Sequence, residues 1–312
     1  MIELATHNVF IEGPDCSGKT TLIKNVHNLT GYQWHLMDRS QISRRIFAKM
    51  YDRSLPDIDY NFKREVFNLN NIFILLIPEW EVIEERFRKR GDEIHNKDSL
   101  RKVYDAFVED SDFLVNLPNV YLFSGKDLAS PEVSRDKLIS LLRSRSHMTT
   151  EGISNMICKL SSASPMNECT GMSLSLFPDC QFSGATREIL NLQGEKEYYG
   201  KIFYGMLRKI KDEIAGRNEY NLPQTISSRR FIHTNDSCIS LVHTICREET
   251  LDVHVVARST NVLEKLRHDL DFIQYLSSQI SRELSKLSKI KKVQIRLNFN
   301  SAHILSAINP KG

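Results

Sequence analysis

Gly13-Pro14-Asp15-Cys16-Ser17-Gly18-Lys19-Thr20-Thr21 is the stretch on which the reading of this 312-residue chain turns, because residue type, spacing and flanks all call for one kind of ligand. The apolar run Asn8-Val9-Phe10-Ile11 before it reads as a buried strand, and Leu22, Ile23, Val26 and Leu29 after it give one face of a helix. A glycine-rich loop between strand and helix turns its backbone N–H groups toward a polyphosphate lying on the helix N-terminus. Gly13 and Gly18 stand where the backbone must turn or lie close to the ligand, and Ser17 and Thr21 complete the cradle. Lys19 brings a positive charge to the β- and γ-phosphates, and the Thr20 hydroxyl is placed to ligate Mg²⁺. ATP with Mg²⁺ is therefore the expected ligand pair.

Composition bounds what surrounds this loop. Apolar residues make up 41% and charged residues 26%, the balance of a soluble globular protein, and the length accommodates two domains of ordinary size. A formal charge of +3 is too small to mark a nucleic-acid binder, and it suits a protein that handles anionic nucleotides. The six cysteines form no CxxC pair and Cys16 lies inside the loop, which points to reduced thiols and a cytoplasmic setting. No signal peptide and no apolar run of membrane-spanning length is evident, so no membrane partner is expected; the longest run, Ile72 to Ile77, reads as a core strand.

Beyond the loop helix, Trp34 to Met37 reads as a short strand ending in Asp38-Arg39-Ser40. Charged residues at a strand's carboxyl end face the ligand crevice of an open α/β sheet, although Asp38 also fits as the cap of a helix from Ser40 to Met50. A second apolar strand, Asn71 to Pro78, leads into a helix from Trp80 that ends in Arg86, Arg88, Lys89, Arg90 and Gly91. Those cations fit either a solvated helix end or a lid that brings positive charge to a transferring phosphoryl group.

With the loop, a strand ending Asp-Arg-Ser, an apolar strand and an arginine-rich helix in this order, residues 1 to 145 resemble the thymidylate kinase family of nucleoside monophosphate kinases, closest to short phage-type members. The resemblance implies that Asp15 approaches the nucleotide sugar or the attacking phosphate and that Arg39 takes the acceptor phosphate with Asp38 beside it. It implies that Lys19 and Thr20 hold ATP and its Mg²⁺, with Arg86 and Arg90 closing over the donor. This half is shorter than full-length members, with little room for their acceptor-base pocket.

Residues 146 to 175, rich in Ser, Thr, Met and Asn, read as a linker. Beyond them the pattern is that of an α+β domain over 176 to 312. A helix from Tyr198 to Ala215 is followed by a hairpin of Ile239 to Ile245 with Leu251 to Val256, a helix lined by Leu263 to Ile280, and a strand through Val293, Ile295, Leu297 and Phe299. Cys238 opens the hairpin; arginines favour a thiolate, the nucleophilic form, whereas a lone cysteine equally suits a core.

This half is similar to the thymidylate synthase and deoxycytidylate hydroxymethylase family. The matching pieces are Glu188, Leu192-Gln193-Gly194, Tyr199-Gly200-Lys201, Ser228-Arg229-Arg230, Cys238, Arg258-Ser259 and Ala302-His303-Ile304. The resemblance implies that Cys238 adds to C6 of a pyrimidine nucleotide, whose C5 then attacks a one-carbon unit from methylenetetrahydrofolate. Arg258 and Ser259 would hold the 5′-phosphate and His303 the ribose. Arg229 and Arg230 would reach a phosphate in the other subunit of a homodimer formed through this domain. Asp269 stands where uracil-specific members carry asparagine, which favours cytosine. The sequence departs from the family at Ile239, at Asn235-Asp236-Ser237, at Asn261 and at Leu305.

The expected fold class is thus α/β: a P-loop kinase with a parallel sheet, followed by a thymidylate synthase-like α+β domain. The leading functional expectation is a bifunctional enzyme of pyrimidine deoxynucleotides, in the host cytoplasm if viral. It would join ATP-dependent phosphorylation of a deoxynucleoside monophosphate to C5 methylation or hydroxymethylation of dUMP or dCMP. The alternatives are a kinase with an inactive nucleotide-binding or dimerisation module, and a kinase acting on a hydroxymethylated pyrimidine within DNA.

Overall fold

The computed structural model describes residues 2–54, 56–90, 96–145, 148–178, 196–220, 231–247, 249–287 and 289–304. The architecture is mixed α/β with two separate sheets, and the chain divides into two compact units, Thr6–Ser146 and Met1–Ala5 with His147–Gly312.

The first strand, β1 (Ile2–Leu4), belongs to the second unit, so the unit Thr6–Ser146 begins with β2 (Asn8–Glu12). It continues through α1 (Lys19–Thr30), β3 (Leu36–Asp38), α2 (Gln41–Met50), α3 (Ile58–Val66), β4 (Asn71–Leu76), α4 (Trp80–Arg90), α5 (Lys97–Leu114), β5 (Val120–Phe123) and α6 (Pro131–Arg145). The four strands pair in the order β3-β2-β4-β5, all parallel, with Ile11 opposite Asp38 on one side and Ile74 on the other. Helices cover both faces, as a parallel sheet requires. Val9, Ile11, Ile72 and Ile74 pack with Leu22 and Val26 of α1 and with Leu138 and Leu142 of α6. On the opposite face Phe10 stacks on Phe73 with ring centroids 5.1 Å apart. β4 is buried at all six positions, which is why it reads as a continuous apolar run.

The second unit continues with α7 (Thr150–Ser162), β6 (Glu168–Pro178), α8 (Lys196–Glu219), β7 (Phe231–Thr234), β8 (Ile239–Arg247), β9 (Thr250–Ala257), β10 (Thr260–Asn261), α9 (Leu266–Leu284) and β11 (Lys292–His303). Its seven-stranded sheet runs β1-β6-β11-β9-β8-β7, with β10 added parallel to β11. All neighbours are antiparallel except β9 with β11 and β10 with β11. β9 alternates strictly, with Leu251, Val253, Val255 and Ala257 buried and the residues between them half-exposed. Leu266, Leu270, Ile273, Leu276 and Ile280 form the buried stripe of α9.

Two expectations are corrected here. Within the stretch expected as a linker the described residues from 148 onward include helix α7 and the start of strand β6: Ile153, Ile157 and Leu160 give α7 a buried face, and Thr149 caps it by accepting from the Gly152 N–H at 3.0 Å. Ser162 Oγ and Ser164 Oγ donate back to the carbonyls of Cys158 at 2.9 Å and Leu160 at 2.8 Å, while Ser161 Oγ donates to the Ala302 carbonyl at 3.0 Å and Thr150 Oγ1 to Asp271 Oδ1 at 2.7 Å, so the polar composition is satisfied within a packed helix. Residues 2–5 leave the domain expected over 1 to 145, because Ile2, Glu3 and Leu4 pair with Pro178, Phe177 and Leu176 of β6. Among the described residues no helix is long and apolar enough to cross a membrane.

Candidate functional site

β2 ends at Glu12, and the chain then makes the loop from Gly13 to Gly18 that opens α1. Gly13 has φ +141°, and a Cβ there would lie 2.4 Å from the Leu76 carbonyl oxygen of β4; only glycine lets the loop lie against the neighbouring strand. Gly18 caps α1 in the left-handed region at φ 102° without a side-chain bond, so no side chain of the cap competes for the first-turn N–H groups. Lys19 is buried, with Nζ donating to the carbonyls of Gly13 at 2.9 Å and Pro14 at 2.8 Å. Burial, followed by the Arg39 charge, holds its pKa below the usual lysine range, against Asp15, Asp38 and Glu12.

A cleft of about 630 Å³ opens in front of this loop. Asp15, Cys16, Ser17, Gly18, Lys19, Thr20 and Thr21 form one side, with Asp38 and Arg39 from the end of β3 and Arg86, Lys89 and Arg90 from α4. Leu128, Ser130, Pro131 and Ser134 close it from the start of α6. Arg39, at φ +70°, turns its guanidinium onto Asp15 at 2.5 Å and over the Phe47 ring at 4.8 Å. A pair as exposed as this one, 34% and 25%, contributes on the order of 1 kcal/mol or less, so a phosphate can displace it. Arg86 donates to the Ser17 carbonyl at 2.9 Å and to that of Cys16 at 3.2 Å. Asp38 faces the cleft and is exposed, with no hydrogen bond or ion pair to its carboxylate among the described residues; Ser40, not Asp38, caps α2 by accepting from the Ile42 N–H at 3.0 Å.

Every loop residue predicted from the sequence except Gly13 lines this cleft, together with Asp38, Arg39, Arg86 and Arg90. A polyphosphate suits these walls: uncapped first-turn amides, a buried lysine, mobile-ended arginines and a hydroxyl at Thr20. No group of three or more His, Cys, Asp or Glu placed to hold a metal occurs among the described residues, so a divalent ion here would lean on Thr20 and on the phosphates. Sequence reasoning missed Glu12 and Ser43, buried beneath the loop, and the far wall at Leu128 to Ser134. An acid ending an otherwise apolar strand, directly before the first loop glycine, was the available signal for Glu12.

In the second unit, half-buried Cys238 precedes β8, and its carbonyl accepts from the Arg258 N–H at 2.7 Å. Tyr198 Oη accepts from the Ile239 N–H at 2.6 Å, which sets a phenol beside the cysteine. Burial, then the neighbouring Asp269 carboxylate, raises the Tyr198 pKa, so this phenol stays protonated. The tyrosine singled out from the sequence was its neighbour Tyr199, whose hydroxyl instead donates to Asp269 Oδ1 at 2.8 Å. Asp269, expected to read the base, is 2% exposed, and its Oδ2 accepts from Thr260 Oγ1 at 3.1 Å. His303 ends β11 opposite Glu168 and Asn261, with Nδ1 3.2 Å from Ser301 Oγ. Ser259 is half-buried and the Arg258 side chain reaches solvent. Arg229, Arg230, Ser228, Glu188, Leu192 to Gly194 and Leu305 lie outside the described residues. The five described cysteines are free thiols.

The sequence matches no protein-family profile. It matches no curated protein either. Among solved structures the chain is similar to a sugar kinase from Janibacter sp. HTCC2649, with 16% identity and a TM-score of 0.30 over 44% of this chain and 95% of that one. It is also similar to thymidylate synthase from T4 phage, with 15% identity and a TM-score of 0.25 over 42% of this chain and 50% of that one.

Proposed function

We propose that residues 6 to 146 form an ATP- and Mg²⁺-dependent phosphotransferase whose acceptor is a pyrimidine deoxynucleotide. One observation carries this reading: Asp15 to Thr21 of the loop, Asp38-Arg39, and Arg86 and Arg90 of α4 meet in a single cleft. Bound ATP and Mg²⁺ would supply the phosphoryl group and the charge that draws electrons from its leaving oxygen. The chain's own part is positioning and charge. Lys19 exchanges two loop carbonyls for phosphate oxygens, a swap that releases no buried charge unpaired. Arg39 leaves Asp15 for the acceptor phosphate, and the Asp15 carboxylate then turns toward the acceptor. Arg86, anchored on the loop's carbonyls, keeps α4 above the donor phosphates. The test is phosphoryl transfer from radiolabelled ATP to a panel of deoxynucleoside monophosphates and to hydroxymethylpyrimidine DNA, with and without Mg²⁺; transfer to none of them overturns the reading.

For residues 147 to 312 we infer C5 chemistry on dUMP or dCMP with Cys238 as nucleophile, methylenetetrahydrofolate as the one-carbon source and a homodimer as the working form. The observation favouring it is the half-buried thiol of Cys238, whose carbonyl accepts from the Arg258 main-chain N–H and whose neighbour Ile239 donates to the protonated Tyr198. Tritium release from C5-labelled dUMP and dCMP tests it, and release that does not depend on Cys238 sinks it.

A further inference from the structure

Glu12 is the only fully buried carboxylate among the described residues of Thr6–Ser146, and the proposed chemistry does not use it. β2 sends Val9 and Ile11 into the core beneath α1 and α6, and Phe10 and Glu12 to the other face of the sheet. There Glu12 Oε2 accepts a short hydrogen bond from Ser43 Oγ, while Oε1 has no partner among the described residues. Ser43 is itself buried and lies in the first turn of α2, the helix that starts directly after Arg39 and Ser40. Glu12 directly precedes Gly13. One bond thus joins the residue before the donor loop to the helix that carries the acceptor arm, 31 positions away in sequence.

We infer that Glu12 is a positioning residue that fixes Asp38 and Arg39, at the mouth of α2, against the phosphate loop. This rests on the phosphotransferase reading. Packing alone would not select the residue, because a buried carboxylate with one oxygen unsatisfied is costly and leucine fills similar space without that cost. Burial pushes the Glu12 carboxyl above its usual range, opposed by the hydroxyls of Ser40 and Ser43 and by Lys19. Glu65 of α3 faces the same turn, accepting from the Gln41 N–H at 2.7 Å. Asp15, Asp38 and Arg39 act on Lys19 from the cleft side.

The full-length chain is compared with Glu12→Leu, Glu12→Gln and Ser43→Ala, using ATP and the deoxynucleoside monophosphate that the wild type phosphorylates fastest. Glu12→Leu is expected to fold at least as stably as wild type and to bind a fluorescent ATP analogue within two-fold, yet to lose ten-fold or more in kcat. Glu12→Gln, which still accepts from Ser43, is expected to stay within three-fold, and Ser43→Ala to fall as Glu12→Leu does. Wild-type kcat in Glu12→Leu or in Ser43→Ala overturns the inference, as does an equal loss of ATP binding and kcat. Hydrogen exchange reads the link without activity: amides of the α2 first turn should lose ten-fold protection in Glu12→Leu while those of α1 do not change. Unchanged α2 protection sinks the inference even where the wild type transfers phosphate, and an inactive wild type with the exchange difference present sinks the phosphotransferase reading instead.

Discussion

The two units keep their chemistry in opposite ways. In residues 6 to 146 nine contiguous residues carry most of the chemistry proposed, because a phosphate site of that kind is made of main-chain N–H groups and needs only a turn, a lysine and a hydroxyl in fixed register. In the second unit Tyr198, Cys238, Arg258, Asp269 and His303 come from one helix, a strand edge, a loop, another helix and a final strand. No local pattern orders them, and tertiary structure alone decides which of them meet. A site written in backbone survives sequence change that a site written in scattered side chains does not.

The comparison can be broken at five points. Lys19→Ala should reduce phosphoryl transfer about a thousand-fold, ~4 kcal/mol of charge stabilisation, and leave tritium release untouched. Cys238→Ala should do the reverse, abolishing tritium release and sparing transfer; loss of both activities in either variant would mean that the two sites are not independent. Next in size, Ile2→Ala and Leu4→Ala, which truncate the buried residues of β1, should each cost about 2–4 kcal/mol in the second unit, read as a lowered Tm, with transfer unaffected.

Asp269→Ala separates a base reader from a core acid. It withdraws the acceptor used by Tyr199 and Thr260 and should cost about 1–3 kcal/mol in thermal stability. A stable variant with altered preference between dUMP and dCMP would restore the base-reading role. The smallest effect is a slope. Because the folded Glu12 pKa lies above its unfolded value, its contribution favours folding most at low pH and is lost as pH rises through the folded pKa. Chemical denaturation of Glu12→Gln across pH 4 to 8 should therefore give a flatter stability profile than wild type.

What was legible follows the same division. The four-stranded parallel sheet could be read because buried parallel strands give unbroken runs such as Ile72 to Leu76. The hairpin of β8 with β9 and the stripe of α9 were equally plain, since one solvated face leaves a clean period. α7 was not, because its buried apolar residues are few and its hydroxyls find partners on its own turns and on α9 and β11, which composition reports as a linker. β1 was illegible for want of length: three residues define no period, and its partner Leu176 is far along the chain. In the cleft, Lys19, Thr20, Asp38 and Arg39 were found from type and spacing, whereas Glu12 was hidden by the strand it ends. The contacts of Asp269 with Tyr199 and Thr260 were hidden, because the position of an acid in sequence says nothing about which hydroxyls are folded against it.

The placement of β1 has a consequence for how the molecule is made. Leu4 is synthesised ahead of its partner Leu176 and, at ordinary rates of translation, waits roughly ten to thirty seconds for it. Within that interval the whole of 6 to 146 emerges and is free to close on its own core, so the ribosome delivers a finished insert before the sheet that frames it exists. Ile2 then also exchanges backbone hydrogen bonds with Met148, 2.7 Å and 2.8 Å, drawing together the two ends between which the insert hangs. A nascent chain stalled once residues 6 to 146 have left the ribosome, but before Leu176 has, should accordingly be protease-resistant across the insert and cleavable at residues 2 to 5.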